Sequence, residues 1–192
     1  RLQQMKDRFQ STTGLDLDAD VLSWMTGDYA LFLSYNADAP NPLLAMMFNA
    51  PFSMDAVGGG IIIEATDPAK ARLVAEKLGA ALVTLLEDKV PNLEGRQETV
   101  EGIPATVFRV KDDRLSTPFE IVIGANDKVF VIATRAAAES IFSGEPGLDT
   151  TAAYKDAAGF FLEMPTQVLY LAPSGFDLMG LMVGMTGIRQ ME

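Results

Sequence analysis

The residue types that most often carry out reactions are scarce in this chain. Its 192 residues include no histidine and no cysteine. That removes the Ser-His-Asp and Cys-His machineries, HExxH zinc sites, thiolate zinc sites and iron–sulfur clusters. Carboxylates and serines remain. Asp16, Asp18 and Asp20 alternate like the opening of a calcium loop. Counted from Asp16, however, the sixth position is Val21 where the loop needs glycine, and the twelfth is Gly27 where a bidentate glutamate belongs. The same residues are well suited to capping a short helix, whose first turn welcomes negative charge. Pairs such as Asp112-Asp113, or Glu98 with Glu101, have the makings of acid–base chemistry. They fall in turns or on exposed strand faces, where solvated charge accounts for them. Ala172-Pro173-Ser174-Gly175 has the outline of a nucleophile elbow, but Ala172 replaces the glycine and no histidine exists to serve as base. No lysine stands at the S-x-x-K spacing of a Ser-Lys pair. Gly58-Gly59-Gly60 precedes a strand, whereas phosphate loops follow a strand and open a helix, so these glycines are expected to let two backbones approach. No catalytic residue, metal ligand or cofactor is therefore assigned.

Ten methionines are a stronger feature. Met side chains adapt to irregular apolar partners. Met46 and Met47 read as core, whereas Met54 lies in the loop Pro51–Gly60 beside Phe52, and Met179, Met182 and Met185 alternate with Gly180, Gly184 and Gly187. Phe52, Met54, Met179 and Met182 are the candidate binding residues, for a protein or an apolar ligand. The competing reading is core packing, with the Pro51–Gly60 loop folded back as cover, and cover is preferred because three glycines let the loop lie close to a sheet. Gly180-x-x-x-Gly184 marks a transmembrane helix pair only within an apolar run of about twenty residues, which this segment lacks.

Composition narrows the partners. Hydrophobic residues make up 48% and charged residues 21%, ample material for a packed interior. Fifteen basic against 26 acidic residues leave a formal charge of −11. That balance repels phosphate backbones, and no Lys/Arg cluster overcomes it, so nucleic acid is not an expected partner. No apolar run approaches the eighteen or so residues that cross a bilayer. The chain opens on Arg1 inside a helical pattern, so it is expected to be a fragment of a longer protein, touching a membrane only through an anchor outside this stretch.

The elements that must position these residues follow from periodicity. Leu2, Met5 and Phe9 mark a first helix, and Val21 to Met25 a second short one with Trp24 as a core anchor. Tyr29–Tyr35 and Leu43–Phe48 are nearly continuous apolar runs, expected as strands covered on at least one face. After Ile61-Ile62-Ile63, Asp67 is a good N-cap and Pro68 a good first helical residue. Ala71, Val74, Ala75, Leu78, Leu82, Leu85 and Leu86 then form one apolar stripe. Asn92 to Gly95 reads as a turn. A hairpin turns at Glu101-Gly102, a second at Asn126-Asp127, and a helix from Arg135 to Phe142 ends at Gly144. Thr150 or Thr151 caps a helix to Leu162, followed by a strand Gln167–Leu171 and the Met-rich segment Phe176–Ile188.

Two stretches echo each other: Ala65-Thr66-x-x-Ala69 aligns with Ala133-Thr134-x-x-Ala137. The expected organisation is one α+β domain over 1–192, with a mainly antiparallel sheet built from two related β-β-β-α units, about 28–90 and 96–145, and a C-terminal helix-strand-helix over 150–188.

The run from Asp18 to Leu33 (DADVLSWMTGDYALFL), the segment Glu64-Ala65-Thr66-Asp67-Pro68-Ala69-Lys70-Ala71, and the hairpin and helix near Val129–Phe142 resemble a bacterial domain-of-unknown-function family. Its members are usually preceded by a signal or membrane anchor. The resemblance covers most of the chain but rests on structural motifs, and it carries over no catalytic or binding residue. It implies an extracytoplasmic location in the cell envelope. The expected function is a non-enzymatic binding or scaffolding domain of that envelope; the alternative is a carboxylate-based, metal-assisted hydrolase or transferase.

Overall fold

A computed structural model of the chain describes residues 1–25, 27–35, 45, 48, 50–51, 53–54, 57–86, 89–147 and 150–158. Among the described residues, six strands form one sheet: β1 (Tyr29–Tyr35), β2 (Val57–Glu64), β3 (Leu93–Val100), β4 (Ile103–Val110), β5 (Phe119–Ala125) and β6 (Val129–Thr134). Their spatial order is β1-β2-β6-β5-β4-β3, and all five pairings are antiparallel. Among the described residues, four α-helices accompany them: α1 (Leu2–Thr13), α2 (Pro68–Leu86), α3 (Arg135–Ser143) and α4 (Ala152–Ala158). The fold is α+β, with the antiparallel sheet expected from the sequence.

The local chemistry explains most boundaries. Asp67 Oδ1 accepts from the Lys70 amide at 3.1 Å, which caps α2. Asp16 Oδ1 accepts from the amides of Asp18 at 2.9 Å and Ala19 at 2.7 Å, opening a π-helical turn over Leu17–Leu22. Gly14 and Gly144 adopt the left-handed conformation that closes α1 and α3. In the β3–β4 hairpin, Val100 pairs with Ile103, and both loop residues have positive φ (Glu101 49°, Gly102 79°), the pattern whose twist matches paired strands. Asn126 Oδ1 accepts from the amides of Lys128 and Val129 and so fixes the turn into β6.

Neighbouring residues on a strand face opposite ways, and the core divides accordingly. Phe108, Ile123 and Phe130 join Ala71, Val74 and Ala75 of α2 in one cluster, together with Trp24. Val107, Val122 and Val131 join Ala138 of α3 in the other. Thus α2 and α3 lie on opposite faces of the sheet. Trp24, 1% exposed, packs its ring 5.7 Å from that of Phe130 and donates its indole N–H to the Asp20 carbonyl at 2.8 Å. Gly60 pairs with Ala133, and a β-carbon there would collide with the Ala133 β-carbon, so β2 and β6 sit together because this position has no side chain.

Three expectations change. At the described positions of the expected strand 43–48, Ala45 is helical and Phe48 lies in a turn, with the Ala50 amide donating to the Ala45 carbonyl at 2.9 Å. The run is Leu, Ala, Met and Phe without a β-branched residue, and Leu, Ala and Met are strong helix formers. Instead β1 pairs directly with β2. Gly95 is inside β3 and not in a turn, because Val83 of α2 occupies the space a side chain would need. On α2 the inward face holds Gly79 and Val83, while Leu85 is exposed. The segments 28–90 and 96–145 share strand-to-helix order at Ala65-Thr66 and Ala133-Thr134, yet send their helices to opposite faces.

Candidate functional site

The two edges of the sheet are chemically unlike. β3 carries Glu94, Arg96 and Glu98 along its length, and Lys111 Nζ donates to Glu94 at 2.6 Å. Charges of this kind discourage a second sheet from pairing with an exposed edge. β1, at the opposite edge, reads Tyr-Ala-Leu-Phe-Leu-Ser-Tyr, with no charge and no proline. Its register places Tyr29, Leu31 and Leu33 opposite Ile63, Ile61 and Gly59, and directly opposed residues share a face. This is the α2 face, since Ile63 lies in the α2 cluster. The helix packs over β3 to β6, however, and stops short of β1. Tyr29 is 72% exposed, Leu31 78% and Leu33 62%, and Ile61 is exposed beside them. Phe32 points the other way and packs against the α3 cluster. Among the described residues, no strand pairs with the outer side of β1.

A second constellation lies on the α3 face. Glu120, 8% exposed, is the buried carboxylate of the described core. Arg109 reaches its Oε1 through Nε and Nη2, both at 2.5 Å, and Arg135 Nη1 reaches its Oε2 at 2.7 Å. Arg135 also bonds Glu98 through Nη1 and Glu139 through Nε at 2.8 Å. Arg96 pairs with Glu98 at 2.7 Å and approaches Glu120 at 3.6 Å. Burial pushes the Glu120 carboxyl upward, but the guanidiniums of Arg135 and Arg109 outweigh it and hold the group below its ordinary range. Burial likewise opposes the charge on Arg135, and its bonds to Glu98, Glu120 and Glu139 raise it further above the usual guanidinium value. Three arginines match three glutamates, and among the described residues no buried side-chain polar atom lacks a partner. The cluster joins β3, β4, β5 and α3 as a structural tie.

The structure places several sequence candidates differently. Glu98, which reads in sequence as a solvated charge on a strand, belongs to the network. No local motif reveals that arrangement, because its members are spread from residue 96 to 139. Among the candidate binding residues, Met54 is half-buried, and its carbonyl accepts from the Val57 amide at 2.9 Å. Phe52, Met179 and Met182 lie outside the described residues. Sequence reasoning missed Tyr29, Leu31 and Leu33 as surface. The available signal was a seven-residue strand with no charge along its length. Asp112-Asp113 sit in the loop after β4. Two bonds from the Arg114 guanidinium and one from its amide draw the Asp112 carboxyl down to about 2, a pairing that leaves it no role as an acid. An open groove of about 500 Å³ between α1 and α2 is lined by Thr13, Ala81, Thr84 and Leu85, with Lys77 at its side. Among the described residues, no three acidic side chains converge as a metal-ligand set.

The sequence profile of the family described as "Protein of unknown function (DUF3352)" matches residues 1–112, more than half of the chain. The chain belongs to this family. The DUF3352 match takes in β1, β2, α2, β3 and β4, so the uncharged edge lies within it, while Glu120 and Arg135 lie beyond it. No curated protein sequence matches the chain. Among solved structures, it is similar to a protein of unknown function from Pseudomonas aeruginosa, PA94, described as a putative regulator. Identity is 12% over 75% of this chain and 88% of that one, with a TM-score of 0.29.

Proposed function

We propose that this chain is a non-enzymatic binding or scaffolding domain that works at the β1 edge, accepting an extended apolar protein segment as an added strand. The observation that carries the reading is the contrast between the two edges: β3 is guarded by Glu94, Arg96 and Glu98, whereas β1 is uncharged and presents Tyr29, Leu31 and Leu33 to one side. Strand addition satisfies the free amides and carbonyls of an edge, and alternate side chains of the incoming segment meet the exposed stripe. The charge-free edge selects an apolar segment over a charged one. The alternative, a carboxylate-based hydrolase or transferase, needs a carboxylic acid held protonated near neutral pH or a carboxylate free to act. Glu120 is held ionised, with both oxygens occupied by guanidiniums, which supports the binding reading. A place in the bacterial cell envelope is part of the proposal and rests on the sequence resemblance alone; fractionation of the producing cell tests it.

The strand-addition reading is tested by photo-crosslinking in the producing cell, with a photoreactive residue placed at position 31, 33 or, as control, 94. An added strand has period two. Adducts from 31 and 33 are expected to map to residues two apart within one extended apolar segment, with little yield from 94. Equal yields at the two edges, or adducts scattered without that spacing, overturn the reading.

A further inference from the structure

We infer that α1 is a detachable strap: it comes away from α2 and unwinds, turning about Gly14, while Leu15, the π-helical turn and the sheet stay folded. Among the described elements, α1 docks on α2 and on the π-helical turn, so this device stands apart from the strand-addition reading. The way α1 is held leads to it. None of its twelve residues is buried, whereas α2 buries Ala71, Val74, Ala75 and Gly79. Nine of the twelve are exposed, and only Lys6, Phe9 and Thr13 are half-buried. These three recur at three- and four-residue spacing, so α1 meets its neighbours along one narrow stripe with a single apolar member. Phe9 packs against the α2 cluster, while Leu2 and Met5 remain 64% and 63% exposed. A helix of this length is marginal by itself in water, so docking decides whether it forms.

Polar contacts add little to that anchor. Lys6 donates to Asp18 at 2.5 Å, an ion pair whose carboxylate is 58% exposed, and such pairs are weak in water. Lys77 Nζ reaches the Gly14 carbonyl only at 3.4 Å. At the C-terminal end of α1 the groove of about 500 Å³ beside Ala81, Thr84 and Leu85 holds the two helices apart, so few dispersion contacts form there. The boundary between strap and scaffold is sharp. Gly14 has φ 68°, and nothing lies within 4 Å of where its β-carbon would be, so the joint is free of neighbours. Hinges are residues of this kind, at the end of an element. The next residue, Leu15, is 0% exposed, and Asp16 caps the turn that leads to the buried Trp24. Opening therefore bares the seat of Phe9 and the flank of α2 at Lys77 and Ala81, an apolar surface that the closed form lacks.

Amide hydrogen exchange on the 192-residue chain tests the strap, in the parent, Phe9→Ala and Val74→Ala. Local opening and global unfolding give different rates and respond to different substitutions. In the parent, the amides of Lys6 to Thr13 are expected to exchange about tenfold or more faster than those of Val74 to Val83 in α2. Phe9→Ala should quicken the α1 amides by about tenfold again, the loss of one partly buried aromatic contact, and leave α2 and β6 as they were. Val74→Ala, which weakens the core, should quicken α2 and β6 and leave α1 unchanged. One common rate for α1 and α2 in the parent overturns the inference and needs no variant to do so. It is overturned equally if Val74→Ala quickens α1 together with α2, because α1 then opens only when the whole chain unfolds. Phe9→Ala that leaves α1 unchanged, or that quickens α2 and β6 as much as α1, overturns it as well.

Discussion

Replacing Glu120 by Gln keeps the size of the side chain and removes its charge, so it isolates what the buried network contributes. In the folded chain the Glu120 carboxylate faces Arg109 at 2.5 Å, Arg135 at 2.7 Å and Arg96 at 3.6 Å. With glutamine there, three guanidiniums share two carboxylates. Breaking a buried ion pair by removing one partner costs about 3–5 kcal/mol when the other charge stays dry. Here Arg109 and Arg135 keep 27% and 33% of their side-chain exposure, so water can recover part of the loss. The expected cost at pH 7 is therefore about 2–3 kcal/mol, below that range because of rehydration. For a chain of this size that corresponds to a fall in Tm of roughly 4–12 °C. The pH dependence follows from the sign of the shift. Glu120 has a lower value in the folded chain than its ordinary 4.5, so its contribution is complete above that value and is lost as pH falls through the folded value. Urea unfolding of parent and Glu120→Gln at pH 7 and again near pH 3 is the assay. The gap should be widest at pH 7 and shrink at the acid end. Equal stability at pH 7, or a gap that does not change with pH, would refute the assignment of Glu120 as an ionised structural tie.

Other outcomes follow from single contacts. Gly60→Ala should destabilise by about 2–3 kcal/mol in chemical denaturation, because the new methyl meets the Ala133 β-carbon and, at 2.5 Å, the Ile132 carbonyl, and neither moves without parting β2 from β6. Asp16→Ala should cost about 1 kcal/mol in the same assay, as two amides lose their acceptor; no loss would mean that the π-helical turn holds without its cap. Val74→Ala, under the sheet at 3% exposure, should cost about 1–3 kcal/mol, whereas Arg72→Ala, whose partner Asp127 is exposed, should change stability by under about 0.5 kcal/mol. Equal effects at 72 and 74 would place the inward face of α2 wrongly.

The elements legible in the sequence were those fixed by local chemistry. Asp67-Pro68 and the stripe from Ala71 located α2, Glu101-Gly102 and Asn126-Asp127 located two turns, and an aspartate cap near residue 16, which the structure assigns to Asp16, and the buried Trp24 followed from residue type and position. What escaped was set by contacts distant in sequence. Gly95 looked like a turn because its partner, Val83, is on another element. The run 43–48 looked like a strand because hydrophobicity was weighed above the helix preference of Ala45 and its neighbours. That β2 pairs with β6 and leaves β1 at the edge is a matter of topology that no window of residues contains. The ion network is of the same kind: Glu120 is an ordinary strand residue until Arg109 and Arg135 are brought beside it. The exposure of Leu31 and Leu33 was hidden for the opposite reason, since an apolar strand reads as covered until the cover is found to stop short of it.

Amide hydrogen exchange on the full 192-residue chain tests the claim for β1 most directly. In a two-strand ladder, alternate amides of an edge strand point away from the neighbour and exchange freely, whereas those of an inner strand are held on both sides. If β1 receives an added strand in the 192-residue chain, the amides of Tyr29 to Tyr35 that point away from β2 should exchange as slowly as those in the middle of β6, and Leu33→Lys should release them while leaving β6 unchanged. If in the parent chain those amides exchange as fast as the amides of the exposed loop between β4 and β5, β1 is a bare edge and no strand is added to it.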